Sequence, residues 1–351
     1  MSPGASGRDT CTLAWMDPTQ TVPLGRTGLQ VTRLGLGSAP LGGLFQPVTD
    51  DEAERVVARA YEHGLRLFDT APLYGYGLAE RRLGRVLQSY PRDSFVLATK
   101  VGRLLRRGAG PDTTQIVDGE VIYKEAPADL NPVFDFSREG VRASYDESLE
   151  RLGLDRADIL HLHDPDDHFD QALGEGFPAL AELREEGRIH GVGAGMNQPE
   201  MPARFARAAG FDCFLLAGRY TLLDQSGLDE LLPLCQERGI SVIAGGVFNS
   251  GILADPRPGA TYAYAPAPPD VLARAERLRE VCERFGVPLA AAAMQFPLGH
   301  PAVASVIVGA RSVAEVDDDV WMFRHPVPAG LWGALKREGL LPPAAPTPPG
   351  E

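Results

Sequence analysis

"GLGSAP", residues 35–40, closes the first long apolar run of the chain and is its nearest approach to a phosphate-binding glycine fingerprint. An open, doubly wound sheet that binds a dinucleotide carries G-x-G-x-x-G or G-x-G-x-x-A where its first strand turns into a helix. The glycines there give the tight turn and let the backbone approach the pyrophosphate. Here the sixth position is Pro40. The fingerprint fails, and with it the simplest argument for an open sheet.

Outward from that stretch, short apolar runs alternate with helical patterns. "VTRLGLG" (31–37) reads as a strand, and Ala53, Val56, Val57, Ala60 and Tyr61 then repeat at i, i+3, i+4, i+7 and i+8, one face of a helix. "LRLFD" (65–69) is strand, "LAERRLGRVLQ" (78–88) helix and "FVLATK" (95–100) strand. Val141, Tyr145, Leu149 and Leu152 stripe the next helix, with Ser137 as its N-cap and Glu139 in the first turn. "DILHLH" (158–163), "IHGVGAG" (189–195), "CFLLAG" (213–218), "SVIAGG" (241–246) and "VASVIVG" (303–309) bring the strands to eight. Eight strand–helix units without tandem hairpins predict an α/β protein with a parallel sheet closed as a single (β/α)8 barrel. The segment between "FVLATK" and its helix, residues 103–136, is much longer than a usual connection and is expected to cover the barrel mouth.

At 351 residues, 44% hydrophobic and 23% charged, the chain can bury a large core. A net charge of −13 argues against binding a phosphate backbone, which depends on dense Lys and Arg patches, and points instead to a small-molecule partner. The four cysteines are scattered, which fits a reducing cytoplasm, and no stretch reads as a signal peptide or membrane span. The expected organisation is a loose extension over residues 1–20, the barrel over 21–336, and a proline-rich disordered tail over 337–351. Nothing in the pattern sets an oligomeric state.

Catalytic groups of such barrels lie at the C-terminal strand ends, so the polar residues that close apolar runs are the ones to inspect. Asp69 closes the second strand, Lys100 the third and His163 the fourth. Lys100 is one of only three lysines in the chain, so it is hard to dismiss as generic surface charge. After Asp69 comes "TAPLYGYG", where Gly75 and Gly77 allow a bend that brings Tyr74 over the mouth. An ammonium beside a phenol favours the phenolate, so Asp69, Lys100 and Tyr74 are expected to form a relay in which Tyr74, its pKa lowered, exchanges a proton with a carbonyl or carbinol oxygen. His163 would orient that oxygen, and His161, two positions earlier, reads as a packed interior residue. The same His-x-His spacing leaves a second class open: a metal-dependent hydrolase using His161, His163, Asp164 and His168, which would need further ligands from later strands.

The set Asp69, Tyr74, Lys100 and His163 resembles the catalytic tetrad of the aldo-keto reductase superfamily. "GRTGLQVTRLGLGSAPLGG" (25–43), "FDTAPLYGYGLAERRLG" (68–84), "LATKVG" (97–102), "SLERLGLDRADILHLHDPD" (148–166) and "GRIHGVGAGMNQ" (187–198) resemble its blocks in order. "VFDFS", "GAGMNQ", "RYTLLDQ" and "GGVFNSGIL" are most similar to the aldose 1-dehydrogenase branch, which includes D-threo-aldose (L-fucose) and pyridoxal dehydrogenases. The resemblance implies NAD(P) bound extended across the barrel top without a Rossmann fold, and no metal. It places Gly37, Ser38 and Asn197 near the nicotinamide, and Gly246, Val247, Phe248, Asn249, Ser250 and Gly251 around the pyrophosphate. Gly309, Arg311, Glu315, Asp318 and Asp319 would hold the adenosine half.

Phe45, Arg103, Phe136 and Tyr220 are the candidate substrate rim. The chain departs from the family pattern at Gly195 and Met196 before Asn197, at Ala217 in place of a glutamine, and at Gly245 in place of a stacking aromatic. The implied activity is hydride transfer between NAD(P) and a carbonyl or alcohol, foremost oxidation of an aldose at C1 to a lactone. Reduction of an aldehyde or ketone in a biosynthetic pathway is the alternative. A cofactor-occupied regulatory subunit is a third reading, against which the intact tetrad speaks.

Overall fold

The computed structural model describes residues 16–108, 115–117 and 120–349. Its centre is a closed barrel of eight parallel strands: β1 Leu34–Gly37, β2 Leu67–Asp69, β3 Val96–Val101, β4 Ile159–His163, β5 Gly191–Met196, β6 Cys213–Ala217, β7 Ser241–Gly245 and β8 Val303–Val308. β8 pairs back onto β1 through Val306↔Leu34, Ile307↔Gly35 and Val308↔Leu36, which closes the ring and leaves no sheet edge. All eight apolar runs become barrel strands: β3 and β5 reach one residue further, to Val101 and Met196, and the others are trimmed at their ends. The first run divides: Gln30–Thr32 pairs antiparallel with Thr21–Pro23, and only Leu34–Gly37 enters the barrel. Thr32 makes the break, its Oγ1 donating to Leu34 O at 2.7 Å and accepting from Arg66 N at 3.0 Å.

Side chains alternate across each strand. Phe68, Leu97, Leu160, Leu162 and Phe214 face outward and pack in one apolar layer with the helices, including Ala53, Val56, Val57 and Ala60 of α1 (Asp50–Glu62). Inward, Leu67, Val96, Ala98, Ile159, Cys213, Leu215 and Ile243 fill the interior, plugged by Leu24 and Val31 of the N-terminal hairpin. Higher in the same columns the inward residues become Asp69, Lys100 and His163. The polar set therefore stands on an apolar floor.

β5 contributes glycines where the neighbouring side chains are large. A Cβ on Gly193 would lie 2.3 Å from His161 Nδ1, and one on Gly195 3.3 Å from Lys100 Cε. The missing side chains make room for both.

The ends of the chain differ from expectation. Residues 1–15 of the expected extension lie outside the described residues. Residues 16–20 are already tied to the barrel, with Leu34 N donating to Pro18 O at 3.1 Å and Arg33 N to Gln20 O at 2.9 Å. The tail expected to be disordered is packed through residue 349, and 350–351 lie outside the described residues. Leu340, Leu341 and Ala345 are buried, Arg274 Nη2 donates to Leu340 O at 2.8 Å, and Gly299 sits directly against Thr347. Gly339, at φ +69°, stops the helix over Ala329–Arg337, with Leu340 N donating back to Leu335 O at 2.9 Å, and "LLPPAAP" beyond it carries no charge and is rigid, so it covers apolar surface at little entropic cost.

Two connections at the C-terminal face are long. After β3, Arg103–Arg107 pairs antiparallel with Leu130–Phe134, and Ile116–Val117 with Glu120–Val121. This excursion docks on the loop after β1, where Phe45 N donates to Ile122 O at 2.7 Å and Lys124 N to Gly43 O at 2.9 Å. After β7 a turn at Asn249–Gly251 leads into a small hairpin, Thr261–Tyr262 against Ala265–Pro266.

Candidate active site

Asp69, Lys100 and His163 reach one point because each ends an inward column of its strand. Lys100 Nζ donates to Asp69 Oδ1 at 2.6 Å and to Thr70 O at 2.9 Å, and both side chains are almost fully buried. Asp69 Oδ2 has no partner among the described residues. Tyr74 comes from the loop after β2. Gly75 takes φ +62° and lies so close to Gly42 that a Cβ would stand 2.4 Å from its carbonyl oxygen, which fixes that loop against the turn after β1. Lys100 Nζ lies 4.7 Å from the centre of the Tyr74 ring, and the His163 ring meets the same ring edge-on at 6.0 Å. The four side chains thus share one enclosure.

Electrostatics there differ from the expectation in one respect. The Tyr74 phenol is pushed well above its ordinary value, first by burial and then by Asp69, Tyr264 and Asp164. The expected net lowering does not appear: the cation that pulls the phenol down is Arg103, and loss of hydration together with the neighbouring acidic groups outweighs it. Asp69 is also raised, by burial that the adjacent ammonium only partly offsets.

His163 is held well below its ordinary value by burial and by the cations Arg103 and Lys100, so it is neutral at physiological pH. Its Nδ1 meets no partner among the described residues, and its Nε2 faces Asp164 Oδ2 at 3.6 Å, beyond hydrogen-bond range. The ring therefore still has an N–H to give. His161 is fully buried in the interior and lowered to about 3 by the same burial, the packed residue expected of it. His161, His163, Asp164 and His168 do not gather: among the described residues no three His, Cys, Asp or Glu side chains form a metal-binding group. His168 packs against Phe134 and Phe136 instead.

Two cavities meet at Tyr74. The larger, of about 610 Å³, runs from Asp69 and Tyr74 across the barrel top to Asp318 and Asp319. Of the residues expected to touch a cofactor, Gly37, Asn197, Gly246, Val247, Phe248, Asn249, Ser250, Gly251, Gly309, Arg311, Glu315, Asp318 and Asp319 all line it. Ser38 does not: it is fully buried, its N–H bonded to Asp69 O at 2.9 Å.

The features of this cavity fit an extended dinucleotide. Its floor at Gly37, Gly245 and Gly246 carries no side chains. Asn249 and Ser250 adopt φ of +45° and +63°, and the buried Asn249 Oδ1 has no partner among the described residues, an acceptor left for a ligand. At the far end Glu315 accepts from Arg311 N at 2.7 Å, and burial beside Glu315 and Asp318 raises Asp319 to about 8.

The smaller cavity, of about 360 Å³, lies on the other side of Tyr74 and holds Lys100, Arg103, His163 and Asn197. Of the expected substrate rim, Arg103 lines it and Phe45 lines the larger one. Phe136 and Tyr220 line neither. Phe136 is fully buried under Gly102, where a Cβ would stand 2.0 Å from its ring. Tyr220 packs on Phe296 and His300, its hydroxyl 3.4 Å from Pro346 O. Both belong to the core rather than to the expected rim.

Sequence reasoning missed Tyr123, Phe134 and Tyr264, which wall the small cavity, and read Asp164 only as a possible metal ligand. The rule that selected His163 as the end of an apolar run extends to Asp164, its neighbour. For the aromatics, in long excursions without periodicity, no such signal exists.

Fold and site together define an NAD(P)-dependent oxidoreductase on a (β/α)8 barrel. The chain belongs to the aldo/keto reductase family, whose model matches residues 33–337. It is 44% identical to pyridoxal 4-dehydrogenase of Microbacterium luteolum over 332 residues, covering 91% of this chain and 97% of that protein. It is equally, 44%, identical to D-threo-aldose 1-dehydrogenase of a Pseudomonas species over 323 residues, covering 90% and 96%. Among solved structures it superposes on an aldo-keto reductase from Bacillus halodurans in its holo form with a TM-score of 0.71 at 26% identity, covering 91% and 96%.

Proposed function

We propose that the protein oxidises the ring form of an aldose-like substrate at its C1 hydroxyl, giving a lactone, with an oxidised nicotinamide as hydride acceptor. The observation that carries this reading is the convergence of Asp69, Lys100, Tyr74 and His163 where the two cavities meet. The two 44% relatives, one named for an aldose and one for pyridoxal, support it together. Both compounds carry a hydroxyl that closes onto their aldehyde as a cyclic hemiacetal, which holds on one carbon the C–H and O–H that such an oxidation removes.

The cofactor would lie along the larger cavity, with Gly246 to Gly251 around its pyrophosphate and Asn197 near the reacting end. The chemistry it supplies is acceptance of the hydride. Tyr74 Oη, as phenolate, takes the hydroxyl proton while the C–H electron pair leaves as hydride, so the C1–O bond becomes C=O. Lys100 stabilises the phenolate through its charge over the ring, and Asp69 keeps the ammonium charged and aimed. His163 donates its N–H to the same oxygen and fixes it in line with Tyr74. At the adenosine end the carboxylates of Glu315 and Asp318 disfavour a 2′-phosphate, and Glu315 lies close enough to Arg311 to share its charge at 3.6 Å. The reading therefore includes NAD over NADP.

The test is a panel of aldoses and pyridoxal with each cofactor, followed at the reduced-nicotinamide absorbance. Oxidation of ring hemiacetals with NAD is expected. Turnover confined to reduction of open-chain carbonyls would replace this reading with the reductase one.

A further inference from the structure

The small cavity contains one charged pair that the proton relay does not use. Arg103 Nη2 donates to Asp164 Oδ2 at 2.8 Å, and the guanidinium lies 4.5 Å over the Phe134 ring. Asp164 is held in the left-handed region at φ +43°, an unfavourable conformation for a non-glycine residue, which turns the backbone immediately after His163. Its Oδ1 receives only a long contact of 3.4 Å from Asn197 Nδ2, and a carboxylate has about four acceptor positions, so accepting capacity remains. The pair shares its chamber with four aromatic walls, Tyr74, Tyr123, Phe134 and Tyr264.

We propose that Asp164 and Arg103 form a two-pronged receptor for the hydroxyl next to the reacting carbon of a neutral, polyhydroxylated ring. The inference rests on the C1-oxidation reading and adds its specificity determinant. If His163 binds the C1 oxygen, a carboxylate oxygen 3.6 Å from His163 Nε2 lies within reach of the neighbouring ring hydroxyl, since adjacent hydroxyls are roughly a hydrogen-bond length apart. That hydroxyl donates to Asp164 and accepts from Arg103, while the C–H faces of the ring lie against the aromatic walls. The charges around the chamber favour a neutral ring: among the described residues Asp164, Asp166 and Asp167 line it with Lys100 and Arg103, and Lys100 is already paired with Asp69. A phosphorylated or acidic sugar would meet net repulsion.

The experiment compares an aldose with its 2-deoxy analogue, in the wild type and in Asp164→Asn, with NAD saturating and reduced nicotinamide as the readout. The wild type is expected to favour the aldose by about thirtyfold in kcat/KM, mostly through KM, and Asp164→Asn to bring that ratio to within about threefold of unity. An unchanged ratio overturns the proposal. So does a 6-phosphorylated aldose oxidised as well as the neutral one.

Should the variant fold poorly, the wild type alone decides. A 1,5-anhydroalditol, which keeps the neighbouring hydroxyl but has no C1 hydroxyl to oxidise, is expected to inhibit at least tenfold more strongly than its 2-deoxy form, about the value of one such hydrogen bond. Equal inhibition overturns the proposal. Aldose oxidation indifferent to the 2-hydroxyl defeats this inference alone, whereas an enzyme that binds NAD and oxidises no ring hemiacetal defeats the C1-oxidation reading and this inference with it.

Discussion

The two ends of the barrel use aspartate in opposite ways. At the N-terminal end Asp158 and Asp212 stand just ahead of β4 and β6, and each ties an arginine and a strand N–H to one carboxylate oxygen. Asp158 Oδ2 accepts from Arg92 Nη2 at 2.7 Å and Leu97 N at 2.8 Å, and Asp212 Oδ2 from Arg184 Nη1 at 2.7 Å and Val192 N at 3.0 Å. At the C-terminal end Asp69 keeps one oxygen without a partner among the described residues, and Asp164 sits on a strained backbone, its carboxyl raised to about 6 by burial. All seven described non-glycine residues with positive φ, among them Phe45, Tyr76, Asn249 and Tyr264, belong to loops at this same end. One rim spends its polar groups on holding strands in register; the other leaves them strained and open to a ligand.

Replacing one residue at each rim should break this comparison most sharply. Tyr74→Phe is expected to lower kcat by about a thousandfold or more while leaving thermal stability and NAD affinity nearly unchanged, as read by steady-state kinetics and fluorescence titration. Asp158→Ala should do the reverse. Removing one partner of a buried ion pair costs about 3 kcal/mol or more in denaturant unfolding, while kcat per folded molecule stays within about twofold. Lost activity at full stability in the second variant would erase the distinction between the rims.

A smaller effect sharpens the comparison through pH. Because burial raises the Tyr74 phenol, the phenolate needed for oxidation grows as pH rises, so kcat/KM for oxidation should climb from neutrality to beyond about pH 10. Reduction, which uses the phenol already protonated, should hold level across neutrality. An oxidation profile already flat at pH 7 would show that Lys100 does govern the phenol.

The smallest effect belongs to Asp319, raised to about 8 at the far end of the long cavity. Between the ordinary carboxyl value and that figure the folded chain binds more protons than the unfolded one, so this residue makes stability fall as pH rises through the window. Asp319→Asn should therefore gain on the wild type in urea midpoint between about pH 5 and pH 8, and gain no more above it. A constant difference would place the strain elsewhere.

Much of this was legible because strands and helices impose periods. Apolar runs of strand length alternating with i, i+3, i+4 stripes gave eight strands, and the barrel followed once Pro40 removed the fingerprint of the open sheet. Asp69, Lys100 and His163 were legible for the same reason, each being the polar residue that closes an apolar run. Tyr74 lies on a loop, and the glycines beside it were the only local signal. What was lost depends on burial, which no pattern reports. The charge of Lys100 could be read from the chain, but not the desolvation that raises the Tyr74 phenol beside it. Phe136 and Tyr220 read as loop aromatics and are core, while Tyr123 and Tyr264 offer no periodicity and wall the site. The tail after Arg337 read as solvated because prolines end helices, although its uncharged residues were suited to packing.

The excursion between Arg103 and Phe134 supplies Arg103, Tyr123 and Phe134 to the small cavity, and it is fastened to the barrel by side chains as well as by the main-chain bonds at Gly43 and Phe45. Its Glu125 carboxylate accepts from Arg82 Nη2 at 3.1 Å and from Val48 N at 3.0 Å, and its Arg106 Nη1 donates to Glu147 Oε1 at 2.9 Å. Grafting a relative's insertion would therefore carry over a new substrate preference only together with partners for Arg82 and Glu147.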